Sequence, residues 1–151
     1  MKAGVKNNKI NAKVVVKSSQ NLRSQLTPPN VKDCNCIGCT NNIPCNIRNY
    51  VYKAQCLHCP QFYIGASHRP GKERINEYES SIRLPHQGKR TTLGRHKLEH
   101  HHGQKNELSS TYKFSIIDRA KDSLGCFLRE GIHIKNQNPP INSKFNNGFI
   151  I

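Results

Sequence analysis

The chain has 151 residues, a formal net charge of +15 and 34% hydrophobic residues, below the ~45–50% usual for a fully packed domain. No run approaches the ~18 apolar residues that span a bilayer, and no continuous apolar core follows the N-terminus as in a secretory signal. These features argue against a membrane or exported protein and set the expectation of an intracellular one with a polyanionic partner, because each neutralised phosphate releases condensed counterions.

Residues 1–32 carry Lys2, Lys6, Lys9, Lys13, Lys17, Arg23 and Lys32, no acid, and a closing Pro28-Pro29. They read as a flexible basic arm. Residues 33–48 form a cysteine-dense connector, Cys34-x-Cys36-x2-Cys39-x5-Cys45, with no apolar period, which reads as a loop or a metal-held knuckle. Seven cysteines, an odd number, in a reducing compartment argue for metal or free thiols before disulfides.

The remainder, 49–151, reads as one folded unit. Asn49 to Gln55 suits a strand, Cys56-Leu57-His58-Cys59-Pro60 a turn, and Phe62 to Gly65 a second antiparallel strand. Pro70-Gly71 opens a helix over about Lys72 to Ser81, with Arg74 and Tyr78 on one face. A polar loop from Leu84 to Arg90 leads to a second helix that runs to about His100. Tyr112 to Ile117 suits a third strand. Asp118 or Asp122 caps a last helix whose apolar face holds Leu124, Phe127, Leu128, Ile132 and Ile134, with Cys126 as a buried thiol; Pro139-Pro140 stops it. The order β-β-α-α-β-α implies an α+β fold, a small sheet flanked by helices.

Tyr52 and Tyr63 stand one hairpin apart, followed by Arg74 and, far downstream, Glu130. Hydrolysis of a phosphodiester needs a nucleophilic water, neutralisation of the phosphate and help for the leaving alkoxide. A tyrosine hydroxyl suits the first, an arginine fork the second, and one divalent cation on Glu130 the third. Only nine acids exist and no D-x-D pair, which disfavours a two-metal site. Free tyrosine titrates near pH ~10, so either phenol needs activation to serve as a base. Lys53, Arg69, Lys72, Lys89, Arg90, Arg95 and Lys97 are candidate phosphate contacts that position a nucleic acid without reading sequence.

Cys56-x2-Cys59 at the hairpin tip lets two thiolates reach one tetrahedral ion. His96 and the run His100-His101-His102 supply histidines for a two-cysteine, two-histidine zinc site. The upstream cysteines are a second candidate, either an all-thiolate site or one shared with Cys56 and Cys59.

Tyr50-Val51-Tyr52, ten residues, Tyr63-Ile64-Gly65, then Arg74, Arg129-Glu130-Gly131-Ile132 and Pro139-Pro140-Ile141-Asn142 together resemble the GIY-YIG nuclease superfamily over roughly 49–144, with Tyr50 in place of the first glycine. The cysteine pair between the motifs and the later histidines resemble the branch found in Penelope-like retroelements, where such a domain follows a reverse transcriptase. The resemblance implies a three-stranded antiparallel sheet flanked by helices. It also implies a site of Tyr52, Tyr63, Arg74, Tyr78, Glu130 and Asn142, a Mg²⁺ or Mn²⁺ ion on Glu130, and zinc on Cys56, Cys59, His96 and His102, with His100 and His101 as competitors. The implied activity is DNA nicking in a nuclear setting, the nick priming reverse transcription. A zinc-dependent nucleic-acid-binding module that has lost cleavage is the alternative, and a basic structural protein a third.

Overall fold

The strand that begins at Tyr50 is the middle of the sheet, which explains why its first three residues are all apolar or aromatic. The computed structural model describes residues 34–143; the basic arm at 1–32 and the end at Phe149, Ile150 and Ile151 lie outside the described residues. Strands β1 (Tyr50–Cys56), β2 (Phe62–Ser67) and β3 (Tyr112–Arg119) form an antiparallel sheet in the order β2-β1-β3. Tyr52 faces Gly65 on β2 and Ile116 on β3. Among the described residues, a bulge between Val51 and Tyr52 shifts the β1–β3 register and adds local twist.

Around the sheet lie α1 (Ile37–Thr40), α2 (Gly71–Arg83), a 3₁₀ segment (Pro85–Arg90), α3 (Thr92–His100), α4 (Leu108–Thr111), α5 (Ser123–Gln137) and α6 (Pro140–Ser143). This is the expected α+β architecture with a three-stranded antiparallel sheet. The helix carrying Arg74 runs two residues past the expected end, because Ile82 continues the buried stripe of Ile75 and Tyr78. β2 also runs to Ser67, which pairs with Tyr50. Thr91 caps α3 by accepting from the Gly94 N–H, and Asp122, not Asp118, caps α5 by accepting from Gly125. Asn138 ends α5 in the left-handed region, with Pro139 next.

The main core lies on the α2/α3 side of the sheet and joins Tyr50, Tyr52, Tyr78, Tyr112 and Phe114 with Ile43, Ile75, Leu93 and Leu108. The other side has a smaller cluster of Val51, Ile64 and Cys126. Cys126 is fully buried, as expected. The expected apolar face of α5 is not a core face: Leu124, Leu128 and Ile132 are each more than half exposed and Phe127 nearly so. That helix turns Cys126, Glu130 and Ile134 toward the sheet instead.

Candidate active site and metal centres

Arg74 projects from the first turns of α2 into the space beside β1. Its Nε donates to Tyr52 Oη at 3.1 Å and its Nη2 to Tyr78 Oη at 2.9 Å, and the two phenol oxygens are 2.5 Å apart. Its guanidinium carbon also lies 4.6 Å from the centre of the Tyr78 ring. The i,i+4 spacing of Arg74 and Tyr78 makes this contact possible, and β1 delivers Tyr52 from the sheet. Nη1 pairs with Glu77 at 2.9 Å, and Glu77 also holds Arg69 at 2.5 Å. A guanidinium has five N–H groups, so two of them remain without a partner among the described residues.

Tyr63 stands against Tyr52, ring centres 6.3 Å apart. Gly65 makes this possible: a Cβ there would fall 2.6 Å from both Tyr52 Oη and Tyr63 Cε1. The glycine of Tyr63-Ile64-Gly65 is therefore a spacing residue that keeps room for two phenols. Tyr52 and Tyr78 are fully buried, whereas Tyr63 is partly buried and the least enclosed residue of the three.

Glu130 and Asn142 both act on the outer edge of β2. Asn142 accepts from Ile64 N–H at 2.9 Å and donates back to Ile64 O at 2.8 Å. Glu130 Oε1 accepts from Ala66 N–H at 2.9 Å. Together they satisfy edge groups that would otherwise be unpaired, and they tie α5 and α6 to the strand of Tyr63. The second Glu130 oxygen makes no hydrogen bond or ion pair among the described residues. The structure thus places Tyr52, Arg74 and Tyr78 in one bonded cluster, Tyr63 against it, and Glu130 and Asn142 hydrogen-bonded to the edge of Tyr63's strand.

Burial raises the pKa values of Tyr52, Tyr63 and Tyr78, with Arg74 pulling each the other way. Burial also opposes the Arg74 cation, but the surrounding phenol oxygens and Glu77 hold its pKa above the ordinary value. Glu130 is raised by burial, while the Ala66 N–H and Arg74 oppose the shift. The Tyr50 hydroxyl is buried with no hydrogen bond among the described residues, and burial pushes it up to about 12.

A groove of about 670 Å³ runs along α2 past Arg74 and is lined by Arg69, Glu73, Asn76, Glu77, Ser80, Gln87 and Arg90 among others. Of the expected phosphate contacts, Arg69 and Arg90 are on this groove. Lys72 is exposed at the start of α2, and Arg95 is half-buried on α3. Lys53 lies over the Phe62 ring at 4.0 Å. Lys97 does not fit the expectation: it is 6% exposed and donates to Asn106 Oδ1 at 2.5 Å, and burial lowers its pKa.

At the hairpin tip, ligand atoms of Cys56, Cys59, His96 and His101 lie within 4.8 Å of one another. Cys56 Sγ is 3.5 Å from His101 Nε2 and Cys59 Sγ is 3.7 Å from His96 Nε2. The fourth position belongs to His101, not His102. The chain leaves helical geometry at His101, which turns back toward the hairpin, while His102 is exposed. Tyr112 Oη donates to Leu93 O at 2.8 Å and so accepts from His96 Nδ1, also at 2.8 Å. This sets the His96 tautomer with Nε2 unprotonated and facing the thiols, the arrangement a metal-ligating histidine requires. Burial and the neighbouring His58, His100 and Lys97 lower the pKa of His101, which favours the neutral ligand.

A second group, Cys34, Cys36, Cys39 and Cys45, also has its sulfurs within 4.8 Å. Cys36 and Cys39 are 3.5 Å apart and Cys34 and Cys45 4.0 Å. Four thiolates around zinc at ~2.3 Å stand ~3.8 Å apart, so the spacing suits one tetrahedral ion. The Cys39 backbone N–H leads the groups that pull Cys36 down to about 7, while burial pushes Cys39 up to about 12. Both groups can bind zinc, and each is complete without cysteines from the other.

Two contacts have no counterpart among the expectations from sequence, Glu77 on Arg74 and Tyr112 on His96. The i,i+3 spacing of Arg74 and Glu77 was a legible signal; the Tyr112–His96 contact joins a strand to a helix and has no local signal. Glu79 is separate from Glu77, accepting from Leu108 N–H at 3.1 Å. Comparison with known proteins adds no relative: no family model, no curated protein and no solved structure matches the chain.

Proposed function

We propose that the chain is a metal-dependent DNA endonuclease of GIY-YIG type that nicks one strand. The observation that carries this reading is a single cluster in which Arg74 bonds two phenols, beside a partly buried third phenol on a strand pinned by Glu130. Arg74 directs its two remaining N–H groups at the scissile phosphate, where a planar fork neutralises developing charge. Tyr52 and Tyr78 hold the guanidinium in that orientation. Tyr63 is the phenol that meets the substrate and orients the attacking water. A divalent cation held by Glu130 would supply the charge that stabilises the leaving oxygen. Basic groups on the α2 groove, Arg69 and Arg90, take the flanking backbone.

Burial keeps all three phenols protonated at neutral pH. They therefore act as hydrogen-bonding groups rather than as ready bases. The same observation supports a second reading, a zinc-dependent nucleic-acid-binding module without cleavage. Under the first reading the protein works on nuclear DNA, and the 3′ hydroxyl at the nick primes a reverse transcriptase on another chain or in a longer parent.

The two readings separate on supercoiled plasmid. The zinc-replete protein is expected to convert it to the nicked form with Mg²⁺ or Mn²⁺. Glu130→Ala is expected to lower that rate by roughly a hundredfold or more while DNA binding persists. Wild-type protein that binds DNA and never nicks it decides for the binding module.

A further inference from the structure

The knuckle at residues 34–45 is joined to the start of α2 in a way that its metal-binding geometry alone does not require. Lys72 N–H donates to the carbonyl of Cys45, itself one of the four thiols, at 3.0 Å. Gly71 N–H donates to Ile47 O at 2.9 Å. Both donors are first-turn amides of α2, which have no acceptor inside their own helix. Neither Cys36 before α1 nor Pro70 before α2 makes a side-chain cap. The knuckle backbone is therefore the cap of the helix that carries Arg74.

The fit has no slack. A Cβ on Gly71 would collide with the Pro44 carbonyl and crowd Ile43 and Ile47. A Cβ on Gly38 would come 2.8 Å from Ile43 O and 3.5 Å from Lys72 Cα. Ile43 and Ile47 enter the same core as Ile75 and Tyr78, so the knuckle and the Arg74 helix share one packing unit. Inside the knuckle, turn hydrogen bonds such as Ile43 N–H to Gly38 O at 2.9 Å and the buried Ile43 hold the backbone, with little regular structure beside them. Its helix has four residues, Asn42 takes a left-handed φ of 62°, and the stretch is rich in Asn. An isolated four-residue helix is not self-supporting in water.

We propose that zinc on Cys34, Cys36, Cys39 and Cys45 is a positioning device for α2: by fixing the Cys45–Ile47 backbone it fixes the helix start, and through it the placement of Arg74 against Tyr52 and Tyr78. This gives the two metal centres different roles. The Cys56/Cys59/His96/His101 centre joins the hairpin tip to α3, and the four-thiolate centre sets the register of α2. The importance of Arg74 rests on the nuclease reading, but the metal and its hold on α2 do not.

Metal content and amide hydrogen exchange test this apart from cleavage. Wild-type protein is expected to hold two equivalents of zinc, and Cys39→Ser and Cys56→Ser one each, lost from different sites. In Cys39→Ser, exchange of the Gly71 and Lys72 amides is expected to speed up by roughly tenfold or more, as a locally opened segment does. Cys56→Ser is expected to leave those two amides near their wild-type rates. If Cys39→Ser does not fold, cobalt titration of the metal-free wild-type chain serves instead. Full strength needs a first or second ion with four-thiolate charge-transfer absorption whose binding slows the same two amides. One equivalent in wild type that Cys56→Ser removes would overturn the proposal. So would loss of the four-thiolate ion with Gly71 and Lys72 exchange unchanged. Loss of nicking with both of these signatures intact would count against the nuclease reading and leave the clamp standing.

Discussion

The two sides of the sheet are held by different forces. On the α2/α3 side, Tyr50, Tyr52, Tyr78, Tyr112 and Phe114 are all essentially inaccessible, and the rings of Tyr50, Tyr52, Tyr78 and Phe114 pack 5.7–6.2 Å apart in tilted and edge contacts. On the α5 side, Val51, Ile64 and Cys126 make a small cluster, and polar anchors do much of the holding. Asp118 takes Arg129 at 2.7 Å and His133 at 3.1 Å, and Glu130 takes the Ala66 N–H. The difference shows where rigidity is placed. The phenols that must keep Arg74 in register sit in dense aromatic packing. The carboxylate that would hold a cation sits on a helix tied down at a few polar points.

Removing one apolar side chain from each side gives the largest expected contrast. Phe114→Ala is expected to destabilise the fold by about 3–5 kcal/mol, the range for deleting a buried aromatic. Leu128→Ala, at a position 61% exposed, is expected to change stability by less than about 0.5 kcal/mol. Urea denaturation of both variants checks the pair. A Leu128→Ala cost near that of Phe114→Ala would mean that the exposed face of α5 is covered in solution.

A smaller effect tests the polar anchors. Burial raises the Asp118 carboxyl, but His133, the Arg119 N–H and Arg129 together draw it below its ordinary value. A depressed folded pKa stabilises the fold above the unfolded value and ceases to do so as pH falls through the folded one. Asp118→Asn is therefore expected to cost about 1 kcal/mol at pH 7, discounted because the pair is partly exposed. The difference from wild type should disappear on acidification below pH ~3–4. Denaturation curves across that window measure it, and a cost that persists at low pH would point to packing, not ion pairing.

How much of this was legible depended on whether the signal was local. Arg74 and Tyr78 share a helix face by spacing, so that pair could be read from the chain; Tyr52 meets them from a strand, a contact with no local signal, and is grouped with Tyr78 only through the family resemblance. Cys56 and Cys59, like Arg74 and Tyr78, could be read from their spacing. His101 could not, because helical periodicity stops at that residue and the next side chain's direction depends on how the chain turns away. The α5 stripe misled for a different reason. Leu124, Phe127, Leu128 and Ile132 recur at helical spacing, yet the opposite arc of Cys126, Glu130 and Ile134 faces the sheet, because Glu130 and Cys126 find partners there. Periodicity reports that a helix has an apolar face, not that a partner covers it. The role of Gly65 was hidden because only the register with Tyr52 reveals what its missing Cβ makes room for.

Of the two carboxylates, Glu130 gives the smaller expected stability effect, with the opposite sign to Asp118. Burial raises its carboxyl above the ordinary value, and the Ala66 N–H and Arg74 only partly offset this. A raised folded pKa stabilises the fold below the unfolded value near pH ~4.3, and that contribution is lost as pH rises through the folded value. At pH 7 the ionised side chain therefore holds the fold back. Glu130→Gln keeps an oxygen to accept from Ala66 N–H and removes the charge. It is expected to raise stability at pH 7 by about 0.5–1 kcal/mol, with the gain shrinking toward pH 4, while plasmid nicking is lost. On the nuclease reading proposed above, the negative charge is kept for a cation and not for the fold. Had Glu130 served only to pin β2, the glutamine would serve equally well and the pH-dependent gain would come with nicking intact. If instead Glu130→Gln weakens the fold at pH 7, the carboxylate is a structural anchor like Asp118, and the polar side of the sheet loses its distinct functional member.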